Sequence, residues 1–573
     1  MFDISKIPFS MRGSYIAVSK YENNFDNMQN KAGIYLRTVH GLAYIPNSTM
    51  HSVPPFFAQI IPMYNGKEIE FDMKAEETEI CISTDFGNIY LCFADEDTLL
   101  FKGNGKGLGT KLCLIDGNYA YNVGANGENH ILLNCAANSR RFLMRNQIGI
   151  TTLKKDNTDY FCNTITVNSD ESDCFLFSIE DVLEEWNTSE RHYSYEESKL
   201  QRDKEFSKFL KNTTLVSAEY EDTRRLAAYI NWSCLVKAEG VLKREAMLMA
   251  KNWMCNVWAW DHCFNAIALS YHNPNLAWNQ FMLMFDYQSE TGRIPDCVSD
   301  TYAIWNFVKP PVHGWALLRM IQSMNLTEKQ CAEAYDKLSK WTNWWLTYRD
   351  EDNDGICEYQ HGNDAGWDNS TVFIENPVME LPDLSAFLII QMGALSQLAK
   401  KLSKDSDAEK WQNRADEMLS AMLKHNFDGV QPKAVISGSH KKVESNSLIL
   451  YLPILLGEKL PENIRKQMIS VLKSERFFSE YGLATETVDS QLYVADGYWR
   501  GPIWAPSTLL LVDGLANCGE KEFAKEVAKR FCDMVAENGC AENFDALTGE
   551  GLRDKAYTWT SSVFLILAHD YLS

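Results

Sequence analysis

The chain has 573 residues, 45% of them hydrophobic, and a formal net charge of −22 at pH 7. Length and apolar content predict two domains with large cores, while the acidity excludes a binder of nucleic acid or of an anionic membrane surface, which needs clustered Lys and Arg. Neither an apolar leader after Met1-Phe2-Asp3 nor a membrane-length apolar run is visible, and the 15 cysteines include no Cys-x-x-Cys pair, so reduced thiols in a cytoplasmic protein are expected.

All 16 tryptophans lie at position 186 or later, which sets off a first part of different chemistry. Residues 1–185 read as a β-sandwich domain. Residues 14–19 are strand-like, 78–83 alternate with Thr78, Ile80 and Ile82 on one face, and 89–93 alternate likewise. Asn65-Gly66, Asn104-Gly105, Asp116-Gly117 and Asn126-Gly127 supply turn signals between such runs. Residues 186–214 read as a helical linker, charged from Glu197 to Lys211. From 215 to 573 the period is helical. Leu226, Ile230 and Leu235 form one stripe; Leu384, Phe387, Leu388, Met392, Leu395, Leu398 and Leu402 form another. Ser406-Asp407-Ala408-Glu409 reads as a capping box opening the next helix, whose inner face carries Trp411, Ala415, Met418 and Met422.

Two carboxylates stand out in this second part. Asp368 lies in Gly366-Trp367-Asp368-Asn369-Ser370, and Glu542 opens Glu542-Asn543-Phe544. An indole stacks on the apolar face of a pyranose, an amide bonds a hydroxyl, and a carboxyl group moves a proton. Breaking a glycosidic bond takes two such carboxyls. Each motif also has a plainer reading: Asp368 before Asn-Ser suits a helix N-cap, and Glu542 suits an acidic surface loop beside Glu537, Asp545 and Glu550. The tract Tyr498-Trp499-Arg500-Gly501-Pro502-Ile503-Trp504 and the segment Trp258-Ala259-Trp260-Asp261-His262 add further rings and a third acid.

In order and rough spacing, Trp260-Asp261, Trp367-Asp368-Asn369-Ser370, the 498–504 tract and Glu542-Asn543-Phe544 resemble glycoside hydrolase family 63 and its trehalase-like clan, which includes the bacterial mannosylglycerate and glucosylglycerate hydrolases. The resemblance covers residues 215–573. It implies an α+β multidomain protein in which the N-terminal β-sandwich is followed by an (α/α)6 barrel, the six-hairpin glycosidase toroid. It also implies Asp368 as general acid and Glu542 as general base. Trp260, Asp261, Trp367 and Asn369 become substrate contacts by the same resemblance, Gln288 joins them from a further loop at the barrel mouth, and Trp559 reads equally as a contact in the wall or as core packing. Tyr498, Trp499, Arg500, Gly501 and Trp504 are contacts by the resemblance as well, with Gly501 letting the backbone approach the sugar and Arg500 offering a donor fork. Where the family commonly has Glu-Ser this chain has Asp364-Ala365, which shortens one sugar-contacting side chain.

The activity implied is that of an inverting, exo-acting α-glucosidase on a small soluble glycoside. Asp368 must then hold its proton, with a pKa above the usual value of about 3.9. Glu542 must stay ionised to activate water, about 6.5–9.5 Å from the acid. Three alternatives remain: an α-mannosyl substrate, a phosphorylase with a phosphate pocket in place of the base, and a non-catalytic carbohydrate-binding protein. No cofactor is required. Asp350, Asp352, Asp354, Ile356 and Glu358 have the spacing of the first part of an EF-hand-type calcium loop, with Gly355 at the sixth position but His361 at the twelfth. The competing reading is an acidic turn. A loop containing Tyr287-Gln288 and residues 292–296 is expected at the pocket mouth.

Overall fold

Residues 1–21, 32–41, 56–115, 117–124, 130–135, 140–155, 162–186 and 192–573 are described by the computed structural model. They gather into two compact units. Residues 1–211, 229–255 and 299–302 form the first, and 212–228, 256–298 and 303–573 form the second.

The first unit is built on antiparallel pairing. Fifteen strands among the described residues form one sheet, whose main path runs from Ile16–Tyr21 through Phe56–Tyr64 and Leu108–Leu114 to Asp72–Ala75. Period-two alternation decides which face is buried: Thr78, Ile80 and Ile82 are enclosed while Ser83 is exposed. Asn65-Gly66 makes the two-residue turn expected of it. Both residues take positive φ (49° and 79°) and join Tyr64 to its partner Lys67. Asn104-Gly105 instead links strands that pair elsewhere, Thr98–Asn104 and Leu108–Leu114. Asp116 and Asn126-Gly127 lie outside the described residues. The charged stretch forms the helix Tyr195–Lys211 and clusters with this unit.

A buried charge network crosses the first unit. His40, wholly enclosed, lies 2.7 Å from both Asp181 and Asp300, with Tyr15 stacked on its ring at 4.1 Å. Arg140 pairs with Glu239 and lies 3.3 Å from Asp300. Two carboxylates hold the imidazolium, and their pull outweighs burial and raises its pKa.

Helices dominate the second unit and are of two kinds. Asp261–Ser270, Pro382–Lys401, Ala505–Asn517 and Thr558–Asp570 are buried on nearly every side. Glu328–Tyr348, Asp405–His425 and Lys521–Asn538 bury one stripe and expose the other face. In contact order, Asp261–Ser270 packs on His313–Ser323, that helix on Pro382–Lys401, and that one on the 3₁₀ segment Leu448–Lys459. Ala505–Asn517 and Thr558–Asp570 follow, and the last packs back on Asp261–Ser270. The enclosed segments thus close a cycle. Local expectations differ in two places. Leu235 falls just past the helix Glu221–Cys234, in a strand paired with Ala246–Met247, because the helix has already ended. Ser406 to Glu409 lie inside a helix that starts at Asp405, without a side-chain cap; the capping box of the unit is Thr327 with Gln330. Among the described residues no helix is long and apolar enough to cross a membrane, and all 15 cysteines remain thiols.

Candidate active site

Some of the residues singled out by sequence lie at the N-terminal ends of the enclosed helices. Asp261 is the first residue of Asp261–Ser270, with Trp260 before it. The 498–504 tract runs directly into Ala505–Asn517, and Tyr557 precedes Thr558–Asp570. Free backbone N–H groups and the positive end of the helix dipole face this region, which favours acidic side chains there.

Backbone geometry brings the motifs together. Gly366 takes φ +71°, and a Cβ there would meet the Trp260 indole at 2.6 Å. Only glycine lets the 366–368 turn lie against Trp260. Asn369 then clips the turn to the aromatic tract: its Nδ2 donates to the Gly497 carbonyl, and its Oδ1 accepts from the Trp499 N–H, both at 3.0 Å. Asp368 caps no helix, since the short turn Thr371–Phe373 is preceded by Ser370. Asp364 is scaffold rather than sugar contact, bonded to Arg349 at 2.8 Å and to the Val308 and Gln360 N–H groups.

The rings form a continuous cluster. Trp499 stacks on Trp504 at 4.0 Å and lies 4.6 Å from Trp367; Trp559 meets Trp260 and Trp504 edge-on. Trp504 Nε1 donates to the Tyr498 carbonyl, and Trp559 Nε1 donates to the Glu542 carbonyl at 3.4 Å. These tryptophans are nearly fully enclosed, so their packing against one another fixes the segments that carry them. Gln288 gives its amide hydrogens to the Gly292 and Lys337 carbonyls, and its buried Oε1 has no hydrogen-bond partner among the described residues. Gly501, at φ +152°, is required because Val494 O would lie 2.5 Å from a Cβ, so its freedom accommodates the protein's own chain. Arg500 reaches the Leu492 carbonyl at 3.4 Å.

The carboxyl groups share one feature. Burial pushes Asp368 above the ordinary range, with Lys309 opposing. Asp261 is raised well above it for the same reason, and its buried Oδ2 has no hydrogen-bond partner among the described residues. Glu542 is pushed up to about 8 by burial and then by Asp554, against the Tyr498 hydroxyl bonded to it and the charge of Arg553. Sequence placed the retained proton on Asp368 alone; the enclosed positions raise both carboxyls in the free protein. Tyr498 joins them, since its hydroxyl bonds Glu542 and lies in the field of Asp368.

Sequence reading missed three participants. Lys309 is enclosed, 3.1 Å from Asp296 and 2.7 Å from the Asn363 carbonyl, and Asp296, Asp368 and Asp261 hold its charge against burial. Its only signal was a Lys in the run Val308-Lys309-Pro310-Pro311. Arg553 lies over the Tyr498 ring at 5.0 Å, and both take left-handed φ (59° and 65°). Tyr557 lies in the field of Glu542 and Asp261.

The acidic loop at 350 is a turn held by its own side chains. Asp350 accepts from the Asp354 and Gly355 N–H groups, Asp354 from Ile356 N–H, and Glu358 from Ser437. Asp352 and Asp354 instead converge with Glu380 and His440. His440 bonds Asp352 at 2.8 Å and His425 bonds Glu380 at 2.6 Å. Calcium takes six to eight oxygens, and a set completed by imidazoles, with Asp350 and Glu358 drawn elsewhere, does not fit it.

A family profile described as the mannosylglycerate hydrolase MGH1-like glycoside hydrolase domain matches residues 254–560. The chain belongs to that family. The motif-based resemblance to family 63 and the trehalase-like clan therefore holds. Mannosylglycerate hydrolase of Rubrobacter radiotolerans is 21% identical over 436 residues, covering 57% of this chain and 97% of that protein. Glucosylglycerate hydrolase of Mycolicibacterium hassiacum is 22% identical over 416 residues, covering 54% and 91%. A bacterial glucoamylase solved with acarbose superposes with a TM-score of 0.63 at 11% identity, covering 100% of this chain and 94% of that one. This last likeness is one of fold.

Proposed function

We propose that this glycoside hydrolase is an inverting, exo-acting α-glycosidase that removes a terminal glucosyl unit from a small soluble glycoside. One observation carries the reading: Tyr498 binds Glu542 and lies in the field of Asp368, so two carboxyls of raised pKa, Glu542 buried and Asp368 partly so, meet beside the cluster of aromatic rings. We read the helical unit as an (α/α)6 barrel, supported by the closed cycle of enclosed helices, and the sheet before it as a β-sandwich. A cytoplasmic location fits the thiol content.

In this mechanism Asp368 gives its proton to the glycosidic oxygen as the bond to the anomeric carbon breaks. Glu542, ionised, takes a proton from the water that forms the new bond on the opposite face. Asp261 Oδ2 accepts a hydroxyl hydrogen of the bound sugar. Tyr498 donates to the Glu542 carboxylate and keeps it aimed at the water. Asn369 and the enclosed tryptophans hold this geometry without touching the reacting bond.

An α-mannosyl substrate is the second reading, favoured by the relatives named as mannosylglycerate hydrolases. Hydrolysis of glucosylglycerate, mannosylglycerate, glucosylglycerol, trehalose, kojibiose, nigerose, isomaltose and sucrose separates the two. Proton NMR of the first-formed sugar should show the β-anomer. Initial α-anomer would remove the inverting mechanism and the base role of Glu542, and turnover requiring inorganic phosphate would mark a phosphorylase.

A further inference from the structure

Directly after Asp261 the chain reads His262-Cys263, and both side chains are enclosed beside His313. His262, Cys263 and His313 are fully enclosed, and one ligand atom from each lies within 4.8 Å of the others. They are carried by the enclosed helices Asp261–Ser270 and His313–Ser323, which pack on each other.

The ring orientations are those of ligands. His262 Nδ1 donates its hydrogen to the Trp258 carbonyl at 2.9 Å, which fixes the tautomer and leaves a lone pair on Nε2. Metal-binding imidazoles are oriented in this way by a backbone carbonyl. That Nε2 lies 3.6 Å from Cys263 Sγ. A tetrahedral centre with Zn–S of about 2.3 Å and Zn–N of about 2.0 Å spaces its sulfur and nitrogen by roughly 3.5 Å.

His313 supplies the second, independent observation. Neither of its ring nitrogens has a hydrogen-bond partner among the described residues, although the side chain is fully enclosed. Around it stand the rings of Phe285 at 5.2 Å, Trp341 at 6.4 Å and His262 at 5.1 Å. An imidazole stripped of water and left without partners is uncommon, because buried polar groups are normally satisfied.

We propose that His262, Cys263 and His313 form a binding site for a soft d10 metal ion, zinc(II) or copper(I), next to Asp261 in the chain. Two neutral imidazoles and one thiol match that class, whereas oxygen-seeking ions such as calcium or magnesium find no donor here. On binding, the Cys263 S–H bond gives way to a sulfur–metal bond and the proton leaves to solvent. His262 Nε2 and His313 each donate a lone pair, and no electron transfer is involved. The ion ties together the starts of two enclosed helices and so braces Asp261.

The test uses the full-length protein, produced in medium supplemented with zinc or copper and also incubated natively with zinc(II), with cobalt(II) as its coloured substitute, or with copper(I) under reductant. Expected is one equivalent of metal retained through gel filtration, a sulfur neighbour in the X-ray absorption spectrum, and a thiolate-to-cobalt absorption band. Cys263→Ser and His313→Phe, the latter filling an aromatic-walled space, should each lower retained metal at least about tenfold and abolish the metal-dependent rise in Tm. Circular dichroism identifies which variants are folded. No retained metal in the wild type, equal retention in both folded variants, or a scattering shell without sulfur would overturn the site and leave a thiol–imidazole hydrogen bond. Because the readouts are metal content and spectrum, failure here leaves the glycosidase reading untouched.

Discussion

The His40 network of the first unit and the candidate site of the second bury carboxyl groups on opposite principles. In the first, Asp181 and Asp300 flank His40, and Glu239 holds Arg140. In the second, Asp261, Asp296, Asp368 and Glu542 are all enclosed or nearly so and raised by burial, while Lys309 pairs with Asp296. Matched buried charges rigidify a scaffold, and removing one partner is costly. Burial raises the pKa of an acid that lacks a matching charge, which destabilises the ionised fold but favours the proton retention a general acid needs.

The largest test of this contrast is on the rate. Asp368→Asn and Glu542→Gln should each lower kcat by about 10³-fold or more with the fold retained, as read by steady-state kinetics beside circular dichroism. A residual rate within tenfold of wild type would remove that residue from the chemistry. Glu542→Gln should at the same time melt higher at pH 8. The folded pKa of about 8 lies above the unfolded value of 4.5, so the folded state binds the extra proton and stability falls as pH rises through that window. A lower Tm for this variant would contradict the burial argument.

In the first unit the same logic predicts the reverse pattern. His40→Ala removes the cation between Asp181 and Asp300, leaving only Arg140 beside Asp300, and should cost about 3–5 kcal/mol of stability, read by denaturant unfolding. The turnover of the molecules still folded should stay within about twofold. Loss of turnover without loss of stability would break the division of labour between the units.

A smaller effect concerns pH. Asp554 is, after burial, the main reason Glu542 is raised. Asp554→Asn removes that charge, lowers the pKa of Glu542, and should move the acid limb of kcat/KM down from near 8 by about one unit. An unmoved limb would mean that another group governs it. Smallest of all, millimolar calcium should leave the Tm unchanged. A rise of several degrees would show that the acidic turn at 350 reorganises around an ion after all.

The sequence by itself determined much of the local structure and named candidate residues for the site. Period-two alternation at 78–83, the Asn65-Gly66 turn and the apolar stripe at 384–402 depend on neighbours close in the chain, and the structure forms each of them. The order of the four motifs gave the family. Local pattern went no further at Gly501, whose needed space is taken by Val494, nor at the 350 loop, where Glu380 and His440 arrive from elsewhere. Tertiary structure alone decided that Gly366 receives Trp260, that Lys309 and Arg553 join the carboxyls, and that residues 299–302 return Asp300 to the first unit. Those outcomes depend on which distant side chains packing drives into the same enclosed volume, where a carboxyl is desolvated and its proton retained.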